Sequence, residues 1–345
     1  MGINCGGCNR KINDNEVKLN TYRLREIERK YSSQKYLPHI IKIQSVYKGI
    51  LLREKIKEKF KFQLLQIKNS KETSTQKYSY ITKVDMKEIF EKYPLLPIFS
   101  SETLSLKPPF EFQNKREIYY GEWKGNLRHG RGVQQWLDGS RYEGYFIDGK
   151  ASIKGKLYHS NGDTYEGEWL NNKANGHGLY IHVGGEYYDG DWKDDKQNGK
   201  GKETWIDGSS YEGDYVLGKR YGYGIFKWPD GSEYEGNFCD NMFNGKGKYT
   251  WSDKREYIGE WEMKQMNGYG IFKWPDGRKY QGDYKKDKKE GFGVFYWPDG
   301  RIFKGHWNNG KQHGEGEFFD PKRNIWRKGL WENGKNIKFF EQNEI

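Results

Sequence analysis

The sequence is poor in the residues that build a large apolar core or a covalent framework. Of its 345 residues, 34% are hydrophobic, nine are proline and three are cysteine. This low hydrophobic content disfavours a large layered core, and so few cysteines without a secretory signal indicate a reducing, cytosolic compartment. No apolar run approaches the ~18 residues that a membrane-spanning helix needs. We therefore expect any membrane contact to be peripheral.

Tryptophan is absent from the first third of the chain. Residues 1–117 hold no tryptophan and four of the 44 glycines, whereas the remainder holds all 13 tryptophans. The same residues carry 24 Lys and Arg against 13 Asp and Glu, while the remainder carries 36 against 35. The chain therefore has a basic head and a nearly neutral remainder. Because the basic residues are not interleaved with stacking aromatics, we expect no binding of nucleic acid.

The remainder repeats with a period of 23 residues, which is typical of an array of small structural units. The stretch YGIFKWPDG occupies 223–231 and returns at 269–277. An aromatic residue opens each of nine units, a glycine follows two residues later, and a Trp, Tyr or Phe follows that glycine by two. In the second unit Ile153 replaces an expected glycine, and a decayed tenth unit begins at Trp326. The nine opening residues are Tyr119, Tyr142, Tyr165, Tyr188, Tyr211, Tyr234, Tyr257, Tyr280 and Phe303.

Each unit has the pattern of a β-hairpin. The segment Tyr-x-Gly-x-Trp alternates with period two, so its aromatics and glycine share one face of a strand while Glu166 and Glu168 point the other way. The segment 222–228 alternates similarly, and Pro-Asp-Gly supplies a turn. The predicted fold is mainly β: an elongated single-layer antiparallel sheet of consecutive hairpins, preceded by an α-helical basic segment. Glycine on the aromatic face would let rings lie flat on bare backbone.

These Y-x-G-x-W, N/H-G-x-G and D-G elements closely resemble the MORN (membrane occupation and recognition nexus) repeat over about residues 119–316. The resemblance implies a scaffold of cytoskeletal, ciliary or cortical structures, and family members have been proposed to touch acidic phospholipids. Rings on the aromatic face either form only the core or also line a groove for a partner helix or strand. Dimerisation of two arrays stays open. The candidate tryptophans are Trp123, Trp169, Trp192, Trp228, Trp261, Trp274, Trp297 and Trp307.

Residues 38–68 predict a long helix, because after Pro38 the apolar residues follow helical spacing without another proline. Within this segment, IQSVYKGILLR resembles the IQ motif of helices that bind calmodulin and myosin light chains. The resemblance implies binding of calmodulin or a related EF-hand protein without a requirement for calcium. The alternatives are a helix packed on the array, or a nucleic-acid or membrane surface. The motif residues are Ile43, Gln44, Lys48, Gly49 and Arg53.

The resemblance also assigns a role to each motif position. Ile43 would enter the apolar cleft of the C-terminal calmodulin lobe, and Gln44 would bond to the interlobe backbone. Gly49 would allow close approach, while Lys48 and Arg53 would meet the acidic surface of the partner.

The first residues, MGINCGGC, resemble dually acylated N-termini: Gly2 would carry a myristoyl group and Cys5 and Cys8 palmitoyl groups. Gly6 departs from the preferred Ser or Thr, and the alternative is a flexible leader with inert cysteines. Acylation next to a basic segment would support stable membrane binding. The first predicted segment is therefore a flexible or helical leader at 1–37, which carries these residues and is followed by the helix at 38–68.

No pattern indicates an enzyme, a cofactor or a metal site. The paired glycines lead into strands instead of opening a helix, which disfavours a phosphate-binding loop. His159 and His182 occupy equivalent positions of successive units, and two strands would separate them by about 10 Å. The remaining boundaries place a linker with a short helix, DMKEIFEKY, at 69–117, the array at 118–325 and a degenerate repeat and tail at 326–345.

Overall fold

The computed structural model describes residues 83–112 and 117–340, which belong to one compact unit, Ile56–Ile345. It begins with helix α1 at Met86–Lys92, where the Asp85 side chain caps the first turn by accepting from the Lys87 backbone N–H. Pro94 lies two residues after this helix, as predicted from the sequence. A 3₁₀ turn follows at Pro97–Phe99. None of the helices within the described ranges is long and apolar enough to cross a bilayer.

Strands make up almost all of the remainder. They are β1 Ser105–Phe112, β2 Glu117–Lys124, β3 Leu127–Trp136, β4 Arg141–Ile147, β5 Lys150–Tyr158, β6 Thr164–Leu170, β7 Lys173–Ile181, β8 Tyr187–Lys193, β9 Lys196–Thr204, β10 Ser210–Val216, β11 Lys219–Lys227, β12 Glu233–Cys239, β13 Met242–Thr250, β14 Glu256–Glu262, β15 Gln265–Lys273, β16 Lys279–Lys285, β17 Lys288–Tyr296, β18 Ile302–Asn308, β19 Lys311–Asp320, β20 Ile325–Glu332 and β21 Lys335–Phe339.

Every strand pairs in antiparallel fashion with the next strand of the chain, from β1 to β21. The result is a single open sheet of consecutive hairpins, which confirms the predicted fold class. The register places glycines directly opposite one another: Gly213 faces Gly224, and Gly224 faces Gly236. Bare backbone therefore runs across the sheet from unit to unit.

The aromatic residue that opens each unit lies on these glycines. A methyl group added at Gly213 would be 2.5 Å from the Tyr211 hydroxyl oxygen and 2.6 Å from the Gly224 Cα. The Tyr211 hydroxyl donates to the Asp214 carbonyl at 3.0 Å, so the buried ring leaves no unpaired polar atom. The same bond, at 2.9–3.1 Å, recurs in all eight units that open with tyrosine. The predicted role of glycine on the aromatic face is confirmed.

The opposite face of the sheet, here called the open face, is covered at its N-terminal end by residues 84–104, the cap segment. Phe99 is 2% exposed and lies over Tyr145 with 6.0 Å between ring centroids. The Tyr145 hydroxyl donates to the Pro94 carbonyl at 2.6 Å, and the Arg131 guanidinium lies 4.0 Å from the Phe90 ring centroid. The cap segment is thus bound to the first two units by apolar packing and by polar contacts.

Ile153 combines backbone strain with contact to this covered region. Its φ is 68°, a left-handed value that a β-branched residue rarely adopts. Glycines at the equivalent position of the next two units, Gly176 and Gly199, have φ of 94° and 110°. The Ile153 side chain packs against the cluster that contains Phe99 and Tyr145. The second unit therefore keeps the left-handed backbone that the other units have at this strand position, while the Ile153 side chain contacts the capped cluster.

Candidate docking surface

The predicted calmodulin-binding and acylation residues lie outside the described residues. They are Ile43, Gln44, Lys48, Gly49 and Arg53, and Gly2, Cys5 and Cys8. Among the described residues, no group of three or more His, Cys, Asp and Glu side chains is arranged to hold a metal ion. The candidate surface is therefore built from the aromatic face of the array.

The predicted tryptophans divide into two columns with different surroundings. The inner column follows the opening aromatic by four residues and includes Trp123, Trp169, Trp192, Trp261 and Trp307, of which all but the half-buried Trp192 are 4–8% exposed. Trp261 meets the Tyr257 ring edge-on at 5.0 Å, and its indole N–H donates to the Gly247 carbonyl at 3.2 Å. The inner column is core.

The outer column stands just before the turn between units, and its tryptophans are half-buried. Trp228, Trp274 and Trp297 belong to it, and the sequence prediction did not separate them from the inner column. Together with the aromatic residues two positions earlier, the outer tryptophans form a continuous row of ten rings, the ring belt, with 4.3–6.2 Å between successive centroids. The ring belt consists of Trp205, Phe226, Trp228, Tyr249, Trp251, Phe272, Trp274, Phe295, Trp297 and Phe318.

Arginines cover one side of three outer tryptophans. Each arginine comes from the turn, four residues after its tryptophan, with 5.2–5.3 Å between guanidinium carbon and ring centroid. Each is also paired at 2.7–2.8 Å with the aspartate two residues before it. These contacts fix the rings and give the belt a charged rim. The three stacked pairs are Arg255 on Trp251, Arg278 on Trp274 and Arg301 on Trp297.

Polar residues replace belt rings in the N-terminal units. Glu203 stands where later units have phenylalanine or tyrosine; burial raises the pKa of its carboxyl, which accepts a 2.8 Å hydrogen bond from the Tyr215 hydroxyl. In the first unit Gln134 donates to Glu117 at 2.7 Å, and the Arg128 guanidinium lies 3.2 Å from the same carboxylate. The continuous apolar belt is therefore confined to units four to nine.

The open face also changes along the array. Beyond the capped units it carries exposed apolar side chains, with Tyr223, Ile258, Tyr269 and Phe292 between 41% and 49% exposed. Sequence reasoning predicted the helix of the cap segment but not its packing on the sheet. The helical spacing of Met86 and Ile89, both now buried, was the available signal.

A family model described as the MORN repeat matches residues 119–141, 142–164, 165–187, 188–210, 211–233, 234–254, 257–277, 280–300 and 303–324. Together these nine matches span more than half of the chain, in phase with the repeats read from the sequence. No curated protein matches the chain.

Several solved structures are similar to parts of the sheet. The TCP domain of SAS-4 from Drosophila melanogaster, solved in complex with a proline-rich motif of Ana2, is 13% identical with a TM-score of 0.24, over 60% of this chain and 97% of that chain. A mutant TCP10 domain of CPAP from Danio rerio is 18% identical with a TM-score of 0.23, over 59% and 95%. A streptogramin B lyase is 10% identical with a TM-score of 0.15, over 69% and 86%. At such low similarity these structures carry no functional argument.

Proposed function

Because the chain belongs to the MORN repeat family, we propose that it is a non-catalytic scaffold that docks partner proteins along its repeat sheet. The ring belt is the observation that carries this proposal. The half-buried outer tryptophans, with their charged rim, have the composition that protein interfaces favour at their anchors. A partner segment with apolar residues along one side would cover the rings, while its polar residues met the arginine and aspartate rim.

The finer part of the proposal is that the scaffold also binds calmodulin or a related EF-hand light chain through Ile43, Gln44, Lys48, Gly49 and Arg53. The support is the complete IQ pattern in a basic segment, which suits an acidic partner. Residence in cytoskeletal, ciliary or cortical structures is the setting proposed for such a scaffold.

The belt is tested by exchanging aromatics on one face at a time. Trp228→Ser with Trp274→Ser removes two outer rings, and Tyr223→Ser with Tyr269→Ser removes two exposed rings from the open face as a matched control. Tagged chains are recovered from the native cell and their bound proteins quantified by mass spectrometry. We expect the belt variant to lose its main partner by at least about tenfold, since interface anchors contribute about 2 kcal/mol or more. Loss only in the control variant would place the partner on the open face.

Calmodulin binding is tested separately. The full chain is incubated with calmodulin in calcium and in chelator, and we expect recovery in both conditions. Ile43→Asp should abolish recovery, because a carboxylate in an apolar cleft is costly. Leu64→Asp, in the same segment but outside the motif, is the control and should retain binding. Recovery that survives Ile43→Asp would rule out the IQ assignment.

The alternative function is a peripheral tether that binds acidic phospholipids through the array, through an acylated basic N-terminus, or through both. The observation favouring it is the stacking of Arg278 on Trp274, since indole suits a membrane interface and guanidinium suits phosphate. Sedimentation with vesicles containing phosphatidylserine, and recruitment of Gly2→Ala compared with the natural chain, test this function. Retention in a detergent-extracted cytoskeleton supports the scaffold, whereas loss to the detergent phase supports the tether.

A further inference from the structure

At one position of each unit, the length of the side chain determines whether the space between the rings of the aromatic face is filled; these positions form a column. It is the second residue of the second strand of each unit, and seven of its nine members have long side chains. Phe243 stacks on Tyr234 with 3.8 Å between centroids, and the Arg220 guanidinium carbon lies 5.2–5.6 Å from three ring centroids. The column, here called the filler column, is Arg128, Ala151, Ala174, Gln197, Arg220, Phe243, Met266, Lys289 and Gln312.

Lys289 shows what a filled position looks like. Its ammonium nitrogen lies 4.7–5.3 Å from the centroids of four rings, which form an aromatic cage. Burial, together with the nearby Arg278 charge, lowers the pKa of Lys289 to about 8. A lysine side chain thus fits this space in full, with its amine in contact with ring faces. The four rings are Trp274, Tyr280, Phe295 and Trp307.

The equivalent position in the second unit is Ala151, and the space above it is empty. A cavity of about 350 Å³ stands there. Each wall residue of this cavity has a matching wall residue in the Lys289 cage six repeats later. The two sets of walls therefore enclose equivalent spaces, but the side chain of Ala151 ends at Cβ and leaves its space unfilled. The matching walls are Trp136, Tyr142, Leu157 and Trp169.

Two differences adapt the empty cage to a ligand from outside. Leu157 replaces the phenylalanine of the Lys289 cage, so three rings remain. The carboxylate of Glu117, whose residue is 5% exposed, lines the cavity, and so do the two groups that donate to it, Arg128 at 3.2 Å and Gln134 at 2.7 Å. A carboxylate has about four acceptor sites, of which these two contacts use two, so Glu117 can also accept from an ammonium group but not from a methyl group.

We propose that the Ala151 cavity binds the ammonium end of a lysine-type side chain presented by a partner protein. The ligand class follows from the chain itself, which places such a side chain in the matching cage six repeats later. Cation–π contact with Trp136, Tyr142 and Trp169, together with the Glu117 carboxylate, would hold the ammonium group. This inference deepens the proposed docking function and rests on it.

The test uses Nα-acetyl-lysine methylamide as the probe and the full chain as the receptor. Indole N–H resonances in ¹⁵N spectra report on binding, and we expect saturable shifts at Trp136 and Trp169. The neutral isostere Nα-acetyl-norleucine methylamide should bind at least about tenfold more weakly, since it lacks the charge that a cation–π contact requires.

Three filler variants sharpen the test. Ala151→Lys supplies the missing side chain, as Lys289 does in its own cage, and should abolish the shifts. Ala151→Gln supplies the residue found at 197 and 312 and should do the same without adding charge. Lys289→Ala empties the second cage, where burial and the Arg278 charge disfavour an ammonium group, and should add no saturable shifts at Trp274 or Trp307.

Probe binding that persists in both Ala151 variants, equal binding of the norleucine compound, or an absence of saturable shifts would each overturn the inference. The outcomes separate from those of the belt experiment, because free lysine amide needs no partner protein. If the natural chain does not bind the probe but the belt variant loses its partner, the protein is a scaffold without this subsite. A chain that binds the probe but keeps its partner in the belt variant has the subsite and a different docking surface.

Discussion

The first two units and the units from the fifth to the ninth have the same hairpins but different cover. In the first region the cap segment buries Phe99 against Tyr145 on the open face, and polar side chains such as Gln134 interrupt the rings of the aromatic face. In the second region the open face exposes Phe292, and the aromatic face carries the continuous ring belt. The two regions thus share the strand pairing that forms the sheet and differ in which side chains remain exposed.

The two edges of the sheet show a related difference. Edge strands expose unpaired backbone groups and invite pairing with other chains. β1 includes Pro108 and Pro109 beside an irregularity in its register with β2, and prolines remove donors from an edge. β21 is five residues long and includes Lys335 and Lys338, so shortness and charge protect the other edge. Each edge strand is protected in its own way, because an open repeat array leaves an edge at both ends.

The largest expected effect comes from an aromatic residue of the cap segment, compared with one that stands uncovered on the open face. Phe99→Ala should lower the free energy of unfolding of the capped units by about 3–5 kcal/mol, because Phe99 is 2% exposed. Phe292→Ala, at a site that is 46% exposed, should change stability by less than about 0.5 kcal/mol. Hydrogen exchange of amides in β3–β5 and in β17–β18 measures the two effects locally. Equal losses would mean that the cap segment does not protect its units.

The next effect should be the same in both regions. Gly155→Ala and Gly247→Ala each place a methyl group against the opening tyrosine of their unit, Tyr142 or Tyr234. Overpacking against a ring that is itself buried should cost about 3 kcal/mol at either site. Gly208→Ala, at a turn glycine with φ of 88° and open space around it, should cost about 1 kcal/mol and is the control. Urea unfolding measures the free energy of unfolding of all three variants. A clear difference between the costs at Gly155 and Gly247 would show that the cap segment alters how the opening tyrosines pack on glycine.

The smallest effect concerns the filled cage, and it depends on pH. Because the pKa of Lys289 falls from 10.5 to about 8 on folding, the unfolded chain binds more protons between these values. The free energy of unfolding should therefore rise with pH, by about 1.5 kcal/mol between pH 8 and 9.5. Urea unfolding of the natural chain and of Lys289→Met, which keeps the cage filled but does not titrate, isolates this rise. An unchanged difference between the two chains across this range would place the amine in water.

Sequence reasoning predicted the repeated hairpins and the packing of rings on glycine, because both depend on residues near one another in the chain. It predicted the helix at Met86–Lys92 from local spacing and the following Pro94. It did not predict that Phe99 would cover Tyr145, since that contact joins residues far apart. It also treated Trp228 and Trp261 alike, although Trp228 belongs to the half-buried outer column and Trp261 to the core.

The sequence by itself determined the period, the strand pairing and the face on which each residue stands, because a 23-residue phase and an alternation of two leave only one register for each hairpin. Only the tertiary structure decided which positions are covered, filled or strained. Ile153 keeps a left-handed backbone while packing against the capped cluster, and Ala151 leaves a cage empty that Lys289 fills elsewhere. These outcomes depend on what neighbouring strands and distant segments place around a residue, which a local pattern does not contain.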